Sequence, residues 1–150
     1  RYSSAWTGDN IASWEHLWLA NIQCQRLSIS GFSFVGSDIG GFIDTPDGEL
    51  YVRWVALGAF HPFFRTHSSG DHGDQEPWSF GEDYMALARG FIELRYRLLP
   101  YMYTTFWQYV QQGTPMLRPL AFLDQTDTDT YLRMAEFALG DQLLVCPITQ

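Results

Sequence analysis

Two aspartates stand out as candidates for chemistry: Asp9, in Trp6-Thr7-Gly8-Asp9-Asn10, and Asp38, in Gly36-Ser37-Asp38-Ile39-Gly40-Gly41-Phe42. Each lies on a glycine-containing turn that closes a short strand-like run. Asp and Asn are common helix N-caps, so Asp9 and Asn10 could simply accept hydrogen bonds from the helix that follows. The flanking indole and the recurrence of the arrangement one strand later favour a chemical use. Carboxylates at successive strand ends of an α/β scaffold suit cleavage of a glycosidic bond. With retention, that reaction needs a nucleophile and an acid/base about 5 to 5.5 Å apart.

Elements that could carry these turns follow from periodicity and punctuation. A strand at 2–6 leads to a helix at 13–29, with Trp14, Leu17, Trp18 and Ile22 at helical spacing and Gly31 as its stop. An apolar strand at 32–36 suits burial in a parallel sheet. The Pro46-Asp47-Gly48 loop then opens a helix at 49–60 that carries Leu50, Trp54 and Leu57 on one face. Residues 61–78 read as a long irregular loop over a pocket. Ser79-Phe80-Gly81-Glu82 has the spacing of a capping box, where a long helix should start and run to about 99, and Pro100 should break or kink it before a second helix at 101–112. A third strand at 116–122, a helix at 131–139 and a strand at 143–148 complete the reading, giving three successive strand-then-helix units.

The stretches WTGDN (6–10), SWEHL (13–17), GSDIGGF (36–42), RWVALGAFHPFFRTH (53–67), LRYRLLPYMYT (94–104) and GDQLLVCPI (140–148) together resemble glycoside hydrolase family 31, the family of α-glucosidases, α-xylosidases and related transglycosylases. They occur in family order along nearly the whole chain. The resemblance implies an α/β fold, the last three β/α units of a (β/α)₈ TIM barrel, with strands six, seven and eight here. Residues 1–140 would belong to the catalytic barrel and 141–150 would begin the following β-sandwich. A complete barrel takes about 250 residues, so 150 residues are expected to be a piece.

By the same resemblance, Asp9 is the general acid/base and the nucleophile is an Asp on an earlier strand, outside this sequence. Asp38 falls in the sugar subsite, with His67 as a hydroxyl donor and Arg65 close behind it. Trp6 and Phe42 are apolar walls of the pocket. From the residues alone, Arg65 and His67 read more readily as a core-facing ion-pair partner and a satisfied histidine. The implied activity is a retaining exo-α-glycosidase acting on oligosaccharides or α-glucosides. α-Xylosidase, α-glucosyltransferase and a non-catalytic sugar-binding relative are the alternatives. No cofactor is implied, and the remainder of the parent chain is the expected structural partner.

Composition fits neutral ligands. A net charge of -8 and a sequence pI near 4.7 offer no basic footprint for nucleic acid, and no apolar run is long enough to span a membrane. Arg1 is expected to open a strand rather than a leader segment. The aromatic content of 17% could line a sugar site, but most of these residues are expected in the core. Cys24 and Cys146 lack any paired spacing and are expected as buried free thiols. His67, Asp71 and His72 match no zinc motif, and 124–130 lacks the glycine and final glutamate of a calcium loop, so no metal site is expected.

Overall fold

The computed structural model describes residues 3–149. Three parallel steps build its first part. Strand β1 (Ala5–Trp6) pairs with β2 (Val35–Gly36), and after Ser37 the chain continues as β3 (Asp38–Ile39), which pairs with β4 (Arg65–Thr66). Helix α1 (Trp14–Ile29) follows β1, α2 (Gly48–Gly58) follows β3, and α3 (Glu82–Gln112) follows β4. Residues 1 and 2, expected to open the first strand, lie outside the described residues.

The third parallel strand is therefore β4, inside the stretch expected to be an irregular loop, and not 116–122. Residues 117–119 instead form β5 (Leu117–Pro119), followed by the single-turn helix α4 (Leu120–Leu123). Strand β5 pairs antiparallel with β6 (Phe137–Leu139), and β6 with β7 (Leu143–Val145). This sheet joins residues on both sides of position 140. The helix expected at 131–139 does not form. Asp124 Oδ1 accepts from the backbone N–H and hydroxyl of Thr126 and from Asp127 N–H, and Asp127 Oδ1 accepts from Asp129 N–H. These side chains offer the backbone turns in place of a helix, leaving one 3₁₀ turn at Thr128–Tyr131. Phe137 to Leu139 then fill the middle of the sheet, fully buried.

Two further expectations about α3 are corrected. The helix is one piece of 31 residues through Pro100. Pro100 and the residue one turn before it, Tyr96, are both exposed, so the carbonyl left without a donor can be met by water, while both halves bury one continuous face. The capping box does not close. Ser79 turns back to donate to Glu76 (3.3 Å), and Gly81, at φ 92°, takes the N-cap position with no side-chain cap.

The core forms where α1 and α2 cover the parallel strands: Leu17, Ala20 and Cys24 from α1 meet Val35, Ile39, Tyr51, Trp54 and Val55. Trp54 also donates its indole N–H to Ser37 Oγ (2.8 Å), pinning the residue that divides β2 from β3. The segment leading into β4 approaches β2 so closely at Gly36 that a Cβ there would collide with the Phe63 carbonyl. Cys24 is buried, which pushes its thiol well above the ordinary range, whereas Cys146 is exposed, against expectation. It directly follows Val145, which points inward, and alternation along an extended segment turns the next side chain out.

Polar side chains tie the parallel part to the antiparallel sheet. Ser28 and Ser33 share a buried hydrogen bond and accept from Leu117 and Met116 N–H (3.1 and 2.6 Å). Asn21 and Gln25 of α1 donate to the carbonyls of Ala135 and Met134. From α3, the Tyr101 hydroxyl donates to Leu139 O (2.7 Å) and accepts from Gln142 N–H (3.0 Å). It spans the β6–β7 turn at Gly140, where a Cβ would strike that hydroxyl.

At the same junction His61 is fully buried, its ring 5.7 Å from that of Phe137, with neither nitrogen bonded. Burial, then the Arg95 charge, pushes its pKa down to about 3 from an ordinary value near 6.5. The unfolded chain binds the proton more readily, so the stability this neutral histidine supports is present above pH 6.5 and is lost as pH falls toward 3. The loss is at most about 1.4 kcal/mol per pH unit. His61→Leu in the full-length parent is expected to flatten the decline of melting temperature between pH 6.5 and 4. An unchanged slope would assign the acid sensitivity elsewhere.

Candidate functional site

Positive-φ glycines shape the two aspartate turns. After β1 the chain turns at Gly8 (φ 82°), which leaves Asp9 exposed, and the buried Asn10 folds back under it. Thr7 Oγ donates to Asn10 Oδ1 (2.5 Å). Ser13, not Asp9, caps α1: its hydroxyl accepts from His16 N–H (3.2 Å). Asp9 is therefore not held as a helix cap, and among the described residues it takes part in no ion pair.

The second turn is fastened to the first. Asn10 O accepts from the N–H groups of Phe42 (2.7 Å) and Ile43 (3.1 Å), and Ala12 N–H donates to Ile43 O (2.8 Å). Gly41, at φ 90°, makes this contact possible, because a Cβ would come 2.6 Å from Ala12 N. Asp9 and Phe42 are thus held on adjoining backbone turns.

Across β3 and β4 the register sets Asp38 directly beside Arg65. Arg65 Nε donates to Asp38 Oδ1 at 2.6 Å, with the carboxylate wholly buried and the guanidinium about one-third exposed. Asp38 Oδ2 is buried with no protein partner. Burial raises the pKa of Asp38. The hydrogen bond and charge of Arg65 oppose this, as does the nearby His67, while the Asp9 charge adds to it. Asp9, Asp38, Arg65 and His67 therefore share one electrostatic neighbourhood.

Aromatic residues border this cluster. The His67 ring lies 5.2 Å from Phe42, and Arg65 Cζ lies 5.2 Å from the Phe63 ring and 5.9 Å from that of Trp6. Trp6 is half-exposed. All six residues expected from the sequence are thus grouped around the ends of β1, β3 and β4. A polar cavity of about 270 Å³ adjoins them, lined by Thr66, His67, Ser68, Gln75 and Glu76. A separate apolar cavity of about 300 Å³ lies among α2, α3 and the segment after β7, lined by residues such as Leu57, Phe60, Phe91 and Ile148. Its lining offers little to a hydroxylated ligand.

Two contributors were not anticipated. Gln75 is buried and donates to Gly41 O (3.0 Å), holding the turn that bears Phe42. It sits in the loop read from sequence as lying over a pocket, but no motif or spacing singled this residue out. Arg95 is buried on α3, its guanidinium on the carbonyls of residues 59, 61 and 62. Its signal was present, since Ala88, Arg95, Met102 and Thr105 follow helical spacing on the buried face.

Chemically, the site offers an exposed carboxylate on one turn, and a buried carboxylate with one oxygen free beside a cation. A half-exposed indole and a histidine tilted against a phenyl ring complete it. Such a set can exchange a proton at Asp9 and accept and donate hydrogen bonds to a hydroxylated ring at Asp38 and His67.

Similar proteins share this arrangement of elements. Over 148 residues the chain is 44% identical to α-glucosidase 2 of Bacillus thermoamyloliquefaciens, covering 99% of itself and 19% of that protein. The structure superposes on the glucosidase II α subunit, solved bound to Glc1Man2, with a TM-score of 0.95 and 36% identity over 98% of this chain and 16% of that one. It also superposes on a cycloalternan-degrading enzyme from Trueperella pyogenes, solved in complex with a covalent intermediate (TM-score 0.92, 28% identity, 99% of this chain and 22% of that one). The chain spans less than a fifth of the length of the α-glucosidase 2 and glucosidase II chains it matches. Residues 113–150 match the glycosyl hydrolase family 31 C-terminal domain and residues 1–105 its TIM-barrel domain, and the chain belongs to glycosyl hydrolase family 31.

Proposed function

We propose that this chain is part of a retaining exo-α-glycosidase that hydrolyses terminal α-glucosidic bonds of oligosaccharides, with Asp9 as the general acid/base. The observation that carries this reading is the exposed, uncapped Asp9 carboxylate on a turn fastened to that of Phe42, within electrostatic reach of the buried Asp38–Arg65 pair. The names of the relatives support α-glucosides as the substrate class, and the covalent complex of the cycloalternan-degrading enzyme supports retention.

In the first step a carboxylate from the earlier part of the parent chain attacks the anomeric carbon. Asp9 gives its proton to the departing glycosidic oxygen as that bond breaks. In the second, the Asp9 carboxylate takes a proton from water, whose oxygen displaces the enzyme carboxylate. Asp38 Oδ2 accepts from a hydroxyl of the bound ring, Arg65 holds Asp38, His67 donates to a neighbouring hydroxyl, and Trp6 and Phe42 border the ring.

The parallel strands β1, β2–β3 and β4 are proposed as strands six to eight of a barrel closed by the rest of the parent chain. The antiparallel sheet then opens the following β-sandwich, with the boundary near Gly113. The pairing of β5 with β6, and of β6 with β7, supports that boundary over one at residue 140.

The test is proton NMR of the full-length parent with an aryl α-glucoside, following the first sugar released. α-Glucose appearing before mutarotation is expected. β-Glucose appearing first would mean inversion and would overturn the two-carboxylate assignment, and turnover of α-xylosides alone would move the reading to an α-xylosidase.

A further inference from the structure

We propose that Arg95 is a positioning residue for this site, acting through the backbone that delivers β4. The inference rests on the functional reading above, because its consequence is read at Arg65 and His67.

Arg95 projects from the buried face of α3 into the turn between α2 and β4, where it is 8% exposed. Its Nη1 donates to the carbonyls of Ala59 (3.3 Å) and His61, and its Nη2 to that of Pro62 (2.7 Å). Cζ lies 5.4 Å from the Phe64 ring. Among the described residues it has no carboxylate partner, so backbone carbonyls stand in for a counter-ion. These carbonyls follow the C-terminus of α2, where a cation is favoured by the unmatched helical carbonyls.

Immediately beyond them Phe63 N–H bonds to Val35 O (3.0 Å), and two residues later Arg65 reaches Asp38. The path from the clamped carbonyls to the site is thus the short segment 63–65, held by Arg95 at one end and by the Asp38–Arg65 pair at the other. A planar fork that addresses several carbonyls at once defines the direction in which the chain leaves the turn, and a point-charge ammonium cannot reproduce it fully. A displacement of about 1 Å in a binding group can cost about 100-fold in rate, so the clamp has leverage on chemistry it never touches.

The experiment compares the full-length parent with Arg95→Met and Arg95→Lys. Activity on an aryl α-glucoside is normalised to the sites trapped by a 5-fluoroglycosyl fluoride, which removes misfolded protein from the comparison. Arg95→Met is expected to lower kcat/KM per trapped site by about 10- to 100-fold. Arg95→Lys should recover part of that loss. Amide exchange in peptides covering 59–67 should quicken in Arg95→Met, with peptides from α1 unchanged. A per-site kcat/KM within twofold of the parent in Arg95→Met overturns the inference, whatever the melting temperature. If that variant does not fold, a parent-like per-site value in Arg95→Lys overturns it equally. A parent that turns over no aryl α-glucoside overturns the functional reading instead. The exchange comparison then decides the clamp alone, and unchanged exchange at 59–67 removes it.

Discussion

Asp9→Ala in the full-length parent is expected to slow hydrolysis of an α-linked disaccharide by about 10³- to 10⁴-fold, toward the upper end of what a positioned acid/base supplies. The loss should be smaller for an aryl α-glucoside, whose leaving group needs little protonation. Azide distinguishes a catalytic role from a structural one. It needs no base to attack the β-linked glycosyl-enzyme, so turnover of the aryl substrate should return with α-glucosyl azide as product. Stability should hardly change, because Ser13 caps α1 and the Asp9 carboxylate is exposed. A variant that keeps its rate on the disaccharide would send the search for the acid elsewhere in the parent.

Asp38→Asn should be nearly as damaging to turnover. Two charge-assisted hydrogen bonds are at stake, one to Arg65 and one from Oδ2 to a sugar hydroxyl, at about 1.5–3 kcal/mol each. The expected fall in kcat/KM is therefore about 10³-fold. The pH dependence of stability is affected as well. Burial outweighs Arg65 and His67 in raising the folded-state pKa of Asp38, so the folded protein holds this proton more tightly than the unfolded chain. The stability linked to that proton is complete below the ordinary carboxylate range and is lost as pH rises through the raised folded value. Asparagine carries no such titration, so melting curves of the variant should lack this part of the parent's decline with rising pH. Parent-like kcat/KM would take Asp38 out of the subsite, and an identical pH slope would contradict the burial argument.

Helices were the legible part of this fold. The period of Trp14, Leu17, Trp18 and Ile22 and the stop near Gly31 place α1 within a residue or two, and Leu50, Trp54 and Leu57 do the same for α2. The aspartate turns were legible as well, because a glycine beside an aspartate leaves a local trace. Strand β4 was not. Only Arg65 and Thr66 form its ladder, and Pro62 and the polar run after His67 hide two residues whose pairing is decided by Asp38 and Ile39 far upstream. The 131–139 segment misled for the converse reason. Its helical composition is overridden by the aspartate-centred turns before it and by the place waiting for Phe137 between β5 and β7. Site residues that act alone at a strand end could be named from sequence, whereas Gln75 and Arg95, which act on the backbone of other segments, needed the fold.

The Tyr101 hydroxyl, bonded to Leu139 O and Gln142 N–H across the Gly140 turn, has a practical corollary for anyone recombining relatives of this chain. A crossover placed in the exposed stretch around Gly113 looks safe because it cuts no element. It nevertheless separates Tyr101 from the hairpin it spans, and His61 from Phe137. Hybrids joined there inherit two halves of one interface from different ancestors. Seams placed ahead of Glu82 also part His61 from Phe137, and Arg95 from its carbonyls, but they keep Tyr101 with the hairpin and should give soluble hybrids more often.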